Sequence, residues 1–521
     1  MLAQELVGLP FVTNYTTQEY DGGIQNSAIT QNAEGVIFVA NNFGLLAYDG
    51  TNWSRTTLPK ETKIRDVFVH ESGRVYVASQ GIFGYFEPTN YGNVEFVSLI
   101  DSLPESYQNV DETWRIFEDN GDLFFCTFSQ VFIFKKTGAI QVIDPDYAPE
   151  SFFFINHKLY VNQLGKGLSY LNGDQLTLVD QGEFFQDKII SGLLPLANQQ
   201  LWIATRNHGV FIYNGSSYEV WKGNGIPKLA SAGINTAIRL HNGKIAIGTQ
   251  NEGVFITSTD GQLIQHLNKG RGLNNRTVLS MYEDRLGNLW LGHNNGIAMV
   301  ELNLPFSIIS EQIGLPGTGY DGFLFKDRFY LGTSTGLYSK AINESNGVDY
   351  QLVKGTEGQV YCIQNVAQFL VLGHHNGAYA IQNGSTQQIS DILGAWTFLA
   401  LKNHPDYVVA GTYKGLLLFK KEGNELRFLH RIRGFSESSR VMDQDESGVI
   451  WMSHGYKGVY RLTLSDDLAS VAVKYYGKAQ GFPSNLLINL WRINNRQVFT
   501  TEQAIYRYDQ STDRFVPDEF F

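Results

Sequence analysis

Short apolar runs recur along the whole chain, cut apart by polar turns. Val36-Ile37-Phe38-Val39, Leu201-Trp202-Ile203-Ala204 and Val449-Ile450-Trp451-Met452 are typical. Runs of this length, rich in β-branched and aromatic residues, predict strands buried on both faces. No segment carries the longer 3.6-residue periodicity of an amphipathic helix, which excludes helical solenoids.

The runs belong to a repeat. One clear copy spans Val278 to Val300: a strand ends in the turn Glu283-Asp284-Arg285-Leu286-Gly287, a second strand passes through Trp290, a tight turn ends at Gly296, and a third strand follows. A more variable fourth strand comes next, often with an aromatic such as Trp53 or Tyr218. The turn glycine returns at Gly44, Gly81, Gly167, Gly209, Gly253, Gly296, Gly336, Gly377, Gly415 and Gly458, with Gln130 and Gln503 in its place in two copies, which implies a modified turn there. From Gly44 to Gln503 is 459 residues in eleven steps, about 42 each, the length of one four-stranded β-propeller blade. The fold class is therefore all-β, a tandem of β-propellers.

Leu9-Pro10-Phe11-Val12 precedes the first blade and Leu304-Pro305-Phe306-Ser307 the eighth, 295 residues later. They read as equivalent outer strands, and seven blades fill the interval. An N-terminal strand that completes the last blade would close the ring and hide its edges. The expected domains are a seven-bladed propeller over residues 1–303 and a second propeller over residues 304–521, where about five repeats fit. The second ring either has five blades or stops about two short of seven; the latter is favoured.

Composition agrees with a globular, sheet-rich protein: 43% hydrophobic, 17% charged and 13% aromatic, with 53 glycines for tight turns against 13 prolines. The formal net charge of −11, without a clustered Lys/Arg run, argues against nucleic acid as a partner. Cys126 and Cys362 sit in separate apolar strands and read as buried free thiols. No apolar run reaches the roughly 18 residues of a membrane span. Met1-Leu2-Ala3-Gln4 resembles the tail of a secretory signal peptide, as in a chain that begins near the cleavage site; an ordinary cytosolic start is the alternative.

The loops of a propeller converge on two rims. Turns between first and second strands carry Glu118-Asp119, Glu283-Asp284 and Asp443-Gln444-Asp445, and their recurrence in register points to turn geometry rather than acid–base catalysis. Asp443-x-Asp445-x-Ser447-Gly448 resembles the start of a calcium loop, but His454 stands where a bidentate Glu is needed. Turns between second and third strands carry Asn207 and His208, His293 and Asn294, His374, and His454 with Tyr456. These residues suit either the left-handed backbone of such turns or a hydrogen-bonding rim for a polar ligand. Without a carboxylate partner they do not predict a metal site, and no cofactor is expected. Tyr20, Trp114, Tyr320, Tyr361 and Trp396 lie near the start of first strands, where flat rings beside polar donors suit sugar rings. The expected ligand contacts are Asn207, His208, His293, Asn294, His374, His454 and Tyr456, with Trp114 and Trp396 for stacking.

Gly8-Leu9-Pro10-Phe11, Glu19-Tyr20-Asp21-Gly22-Gly23-Ile24-Gln25-Asn26, the segment Asn41 to Gly50, and Trp53 together resemble the opening of the two-component regulator propellers. Glu283-Asp284-x-x-Gly287-Asn288-Leu289-Trp290-Leu291-Gly292-x-x-x-Gly296-Ile297 is similar to that family's blade motif. Ser27 follows Gln25-Asn26 where an aromatic residue is expected, a departure at that surface. These are periplasmic sensor regions of bacterial hybrid histidine kinases and related transcriptional regulators. The resemblance implies two seven-bladed propellers, then a small β-sandwich with a tyrosine-rich motif, one membrane helix as the only membrane contact, and a cytoplasmic signalling module. It further implies an oligosaccharide or other small polar ligand and a homodimeric receptor, with no shared catalytic residue. The rival readings are a propeller glycoside hydrolase or lyase, and a secreted protein-binding scaffold.

Overall fold

The computed structural model describes residues 8–59, 62–88, 94–342, 349–382 and 385–520, so the signal-like start at Met1 to Gln4 lies outside the described residues. Twelve four-stranded antiparallel sheets account for the described strands. The sole α-helix among the described residues is the single turn Leu229–Ala232. No described helix is long and apolar enough to cross a membrane.

Each blade is built outward from its second strand, which is buried on both faces. In Val75–Ser79, Leu201–Thr205 and Ile245–Thr249 every residue is buried. A strand enclosed on both sides has no solvent face for polar residues, hence the unbroken apolar runs. Its last residue is polar because it stitches the turn that follows. Thr205 Oγ1 donates to Gly209 O at 2.7 Å, Thr249 Oγ1 to Gly253 O at 2.9 Å and Thr412 Oγ1 to Gly415 O at 3.0 Å. At the Gln130 turn, Thr127 Oγ1 likewise reaches Gln130 O at 3.0 Å, without a left-handed residue at Gln130.

The chain divides into two compact units, the first running to Gln312 and the second starting at Ile313. The first holds seven blades. Its seventh is completed by Phe11–Tyr15, paired antiparallel with Ile297–Glu301. Asn26 fastens the seam: Nδ2 donates to Gly296 O at 2.9 Å, and Oδ1 accepts from Asn41 Nδ2 at 2.8 Å. A cluster of Tyr20, Ile29, Val39, Leu46, Trp290 and Ile297 fills the space between the seventh and first blades. The second unit holds five blades, from Gly319–Phe325 through Arg514–Pro517.

Leu304 to Ser307 does not form the outer strand expected of it, and Phe306 is 67% exposed. The last blade of the second unit, Asn489–Ile493 through Arg514–Pro517, already draws all four strands from its own repeat, so it offers no place for a completing strand. Instead Ile308 pairs with Leu9 through two backbone bonds of 2.8 and 2.7 Å, which keeps residues 304–312 with the first unit, past the expected break after residue 303.

Candidate functional site

The first strand of every blade in the first unit shifts register after its first residue. The shifts fall between Asn26/Ala28, Ile64/Asp66, Thr113/Arg115, Pro149/Ser151, Ile190/Gly192, Ile234/Thr236 and Val278/Ser280. A β-bulge leaves one residue out of the ladder and re-aims its side chain. The seven bulged residues are Ser27, Arg65, Trp114, Glu150, Ser191, Asn235 and Leu279, and all seven line one cavity of about 340 Å³. One residue per blade thus faces a common funnel, and the seven-fold repeat supplies seven independently variable positions.

Beside two of the bulges a backbone N–H is met by a side chain of the preceding blade. Asp66 Oδ2 accepts from Ile116 N at 2.8 Å, and Asn162 Oδ1 from Ile190 N at 3.1 Å. Burial raises the Asp66 carboxyl above its usual range, while the nearby Arg115 and the N–H groups of Ile116 and Val67 act against that.

The funnel wall is rich in donors. Arg65 Nε donates to Glu112 Oε1 at 2.7 Å, its guanidinium lies 4.5 Å from the Trp114 ring centroid, and Lys63 shares the same Glu112 oxygen at 3.1 Å. Arg115 Nη1 donates to Trp114 O at 3.1 Å. Arg206, in the turn after Leu201–Thr205, is exposed at the rim and makes no ion pair among the described residues. Trp114 packs against Phe128 at 5.3 Å, and its buried Nε1 has no partner, nor has buried Ser151 Oγ. Glu150 is the one carboxylate among the lining residues.

The aspartates of the first-to-second strand turns are engaged in those turns. Asp284 Oδ1 accepts from the N–H groups of Leu286 and Asn288 at 2.9 and 2.8 Å, and Oδ2 accepts from Trp290 Nε1 at 2.9 Å. Asp445 repeats the arrangement with Ser447, Val449 and Trp451 Nε1. Asp443 Oδ2 pairs with Arg492 at 2.7 Å, so the calcium-like spacing serves other contacts. Among the described residues, no group of three His, Cys, Asp or Glu is placed to hold a metal ion. Cys126 is buried and Cys362 half-buried; both are free thiols, and burial pushes Cys362 up to about 12.

The expected contact residues fall on both units, and only Trp114 lines the funnel. Asn207 and His208 are exposed beside Arg206. Asn294 Oδ1 accepts from Gln25 Nε2 at 3.2 Å, and Gln25 lines the funnel. His293 and His374, each 1% exposed, occupy the strand-end position that threonine fills elsewhere. His293 Nδ1 meets Thr277 O at 2.8 Å, and burial lowers this histidine to about 4 against the effect of that carbonyl. His374 Nδ1 accepts from Asn376 N at 2.9 Å. Both rings are buried, and the Nε2 of each is without a hydrogen-bond partner among the described residues. His454 Nδ1 accepts from Tyr456 N at 3.2 Å, and Tyr456 is 75% exposed.

In the second unit the same bulge recurs between Gly319/Asp321 and Val360/Cys362, projecting Tyr320 and Tyr361. Their rings lie 5.7 Å apart, Trp396 is 4.3 Å from Tyr361, and the Arg440 guanidinium lies 5.1 Å from the Trp396 centroid. Tyr20, grouped with these aromatics in the sequence, is instead fully buried against Trp53. Arg65, Arg115, Glu150 and Arg206 escaped the sequence reading. The signal for two of them was register: Arg65 and Glu150 hold the same repeat position as Trp114.

Residues 272–295 match the family described as the two component regulator propeller. No curated protein matches the chain. Among solved structures, the extracellular domain of a hybrid two component system from B. thetaiotaomicron is similar, with a TM-score of 0.72 at 17% identity, over 98% of this chain and 73% of that one. At that identity the likeness is one of fold. The extracellular domain of a one component system from the same organism has a TM-score of 0.46 at 16% identity, over 98% of this chain and 78% of that one. Virginiamycin B lyase from Staphylococcus aureus has a TM-score of 0.43 at 12% identity, over 56% of this chain and 99% of that one.

Proposed function

We propose that this chain, whose residues 272–295 match the two component regulator propeller family, is the extracytoplasmic sensor region of a signal-transducing receptor. It binds an oligosaccharide in the funnel of its first propeller and releases it unchanged. The observation that carries this reading is the convergence of seven bulged side chains, one from each blade, on a single cavity. Trp114, whose ring also carries the Arg65 guanidinium, offers an aromatic surface at the wall, and Asn235, Ser191, Ser27 and Arg206 offer hydrogen bonds, the pairing of features that recognises a sugar ring. A homodimer whose two arrangements differ in their contacts with the ligand would convert occupancy into a signal.

The test is a thermal-shift screen of the purified chain against an oligosaccharide panel, with chromatography of each mixture. A saturable rise in melting temperature with one glycan, its chain length unchanged, is the expected result. Product formation, or a shift that survives filling the funnel by Ser191→Trp, would overturn the reading.

A further inference from the structure

The cationic side chains of the funnel lining outnumber the anionic ones, three arginines to one glutamate. Arg65 donates Nε to Glu112 with its guanidinium over the Trp114 ring, and Arg115 donates Nη1 to Trp114 O, whereas exposed Arg206 commits none of its guanidinium donors among the described residues. Buried Trp114 Nε1 and Ser151 Oγ add two more unpartnered groups at the wall. Against these stands Glu150, the single carboxylate of the lining. The chain as a whole carries a formal charge of −11, so three arginines gathered at one cavity run against its overall composition.

Guanidinium forks match the paired oxygens of an oxyanion, and such charge-assisted bonds are about twice as strong as neutral ones. We propose that the funnel selects an acidic saccharide, holding its carboxylate or sulfate ester with Arg206 and Arg115, while Arg65, already set between Glu112 and the Trp114 ring, adds positive charge to the wall. Glu150 then accepts from sugar hydroxyls, which a bare inorganic anion lacks. This inference rests on the saccharide-sensor reading and names the class of saccharide.

The experiment titrates the full chain calorimetrically with tri-galacturonate, its methyl ester and a 6-sulfated galactose oligosaccharide, for the wild type and Arg206→Ala. Arg206 is exposed and unpaired, so its removal leaves the fold intact, which circular dichroism checks. Binding of an acidic ligand at least tenfold tighter than the ester, with Arg206→Ala erasing most of that difference and sparing the ester, is expected. Preference for the sulfated ligand over the uronate, or the reverse, identifies which acid is read. Equal affinity for acid and ester, unchanged in Arg206→Ala, overturns the anion inference and leaves the sensor reading standing. Failure of all three sugars, with inorganic sulfate also silent, overturns the inference; Arg206-dependent binding of sulfate alone keeps an oxyanion site but sinks the saccharide reading.

Discussion

Replacing Asp284 by Asn separates a structural carboxylate from a catalytic one. The wild-type side chain serves two backbone N–H groups with Oδ1 and both Trp290 Nε1 and Asn288 Nδ2 with Oδ2, all within 3.0 Å. Asparagine is nearly isosteric and retains one oxygen for the turn, but its amide then confronts two donors with a third. Trp290 is 2% exposed, so its Nε1 has no water to turn to. An unsatisfied buried donor costs about 1–3 kcal/mol, and losing a bond to a charged group about 1.5–3 kcal/mol; the two overlap, so we expect ~2–4 kcal/mol in all. Trp290→Phe removes the orphaned donor, so in that background Asp284→Asn should cost ~1–2 kcal/mol less. The assay is hydrogen exchange read by mass spectrometry on peptides from residues 278–301, with peptides from the second unit as an internal reference. Asp284→Asn should speed exchange in the seventh blade and spare the reference. An unchanged seventh blade, or equal penalties with and without the tryptophan nitrogen, would refute the turn-hub argument and reopen a chemical role for this carboxylate.

Two further outcomes follow from single contacts. Burial would raise the Asp445 carboxyl, but donors from Ser447, Trp451 and Val449 hold it below its ordinary 3.8, so its contribution to the second unit is complete above about 3.8 and lost as pH falls through the lower folded value. Melting curves of wild type and Asp445→Asn should therefore differ at pH 6 and converge toward pH 2, and a constant gap would contradict this. At Gly292, an added Cβ would come 2.6 Å from Asn26 O across the ring seam. Gly292→Val should wedge the seventh blade from the first at a cost of ~1–3 kcal/mol, visible as new proteolytic cleavage in the first unit; native-like resistance would show that the seam yields without strain.

The fold was legible because a propeller repeats its local rules. A doubly buried second strand demands an apolar run, and the turn beyond it demands glycine or a threonine stitch, so each blade announces itself in about 42 residues. Ring closure by Phe11–Tyr15 was legible for the same reason: an apolar segment preceded a repeat that already had its four strands. The companion segment Leu304 to Ser307 has the same pattern, but the last blade of the second unit already has four strands of its own repeat. Pattern shows what a segment can do, while pairing depends on what another segment leaves open.

The site was harder to read because it sits where the repeat is least regular. Bulged positions answer to no packing rule: Ser27, Arg65, Trp114, Glu150, Ser191, Asn235 and Leu279 share neither size nor polarity. Residue type alone picked out the tryptophan and passed over the arginines. The histidines drew attention through their recurrence, yet His374 accepts from its own turn at Asn376 N while His293 reaches back to Thr277 O, so the shared position serves different contacts. In a repeat protein, then, what returns in every copy belongs to the scaffold, and a recognition surface is better sought at the register position where the copies disagree. By that criterion Tyr320 and Tyr361, bulged at the same register in the second unit, mark its counterpart surface, with Trp396 and Arg440 alongside. The first unit presents arginines around one indole, and the second presents edge-on and tilted rings beside one guanidinium, so the same register position carries different chemistry in the two units.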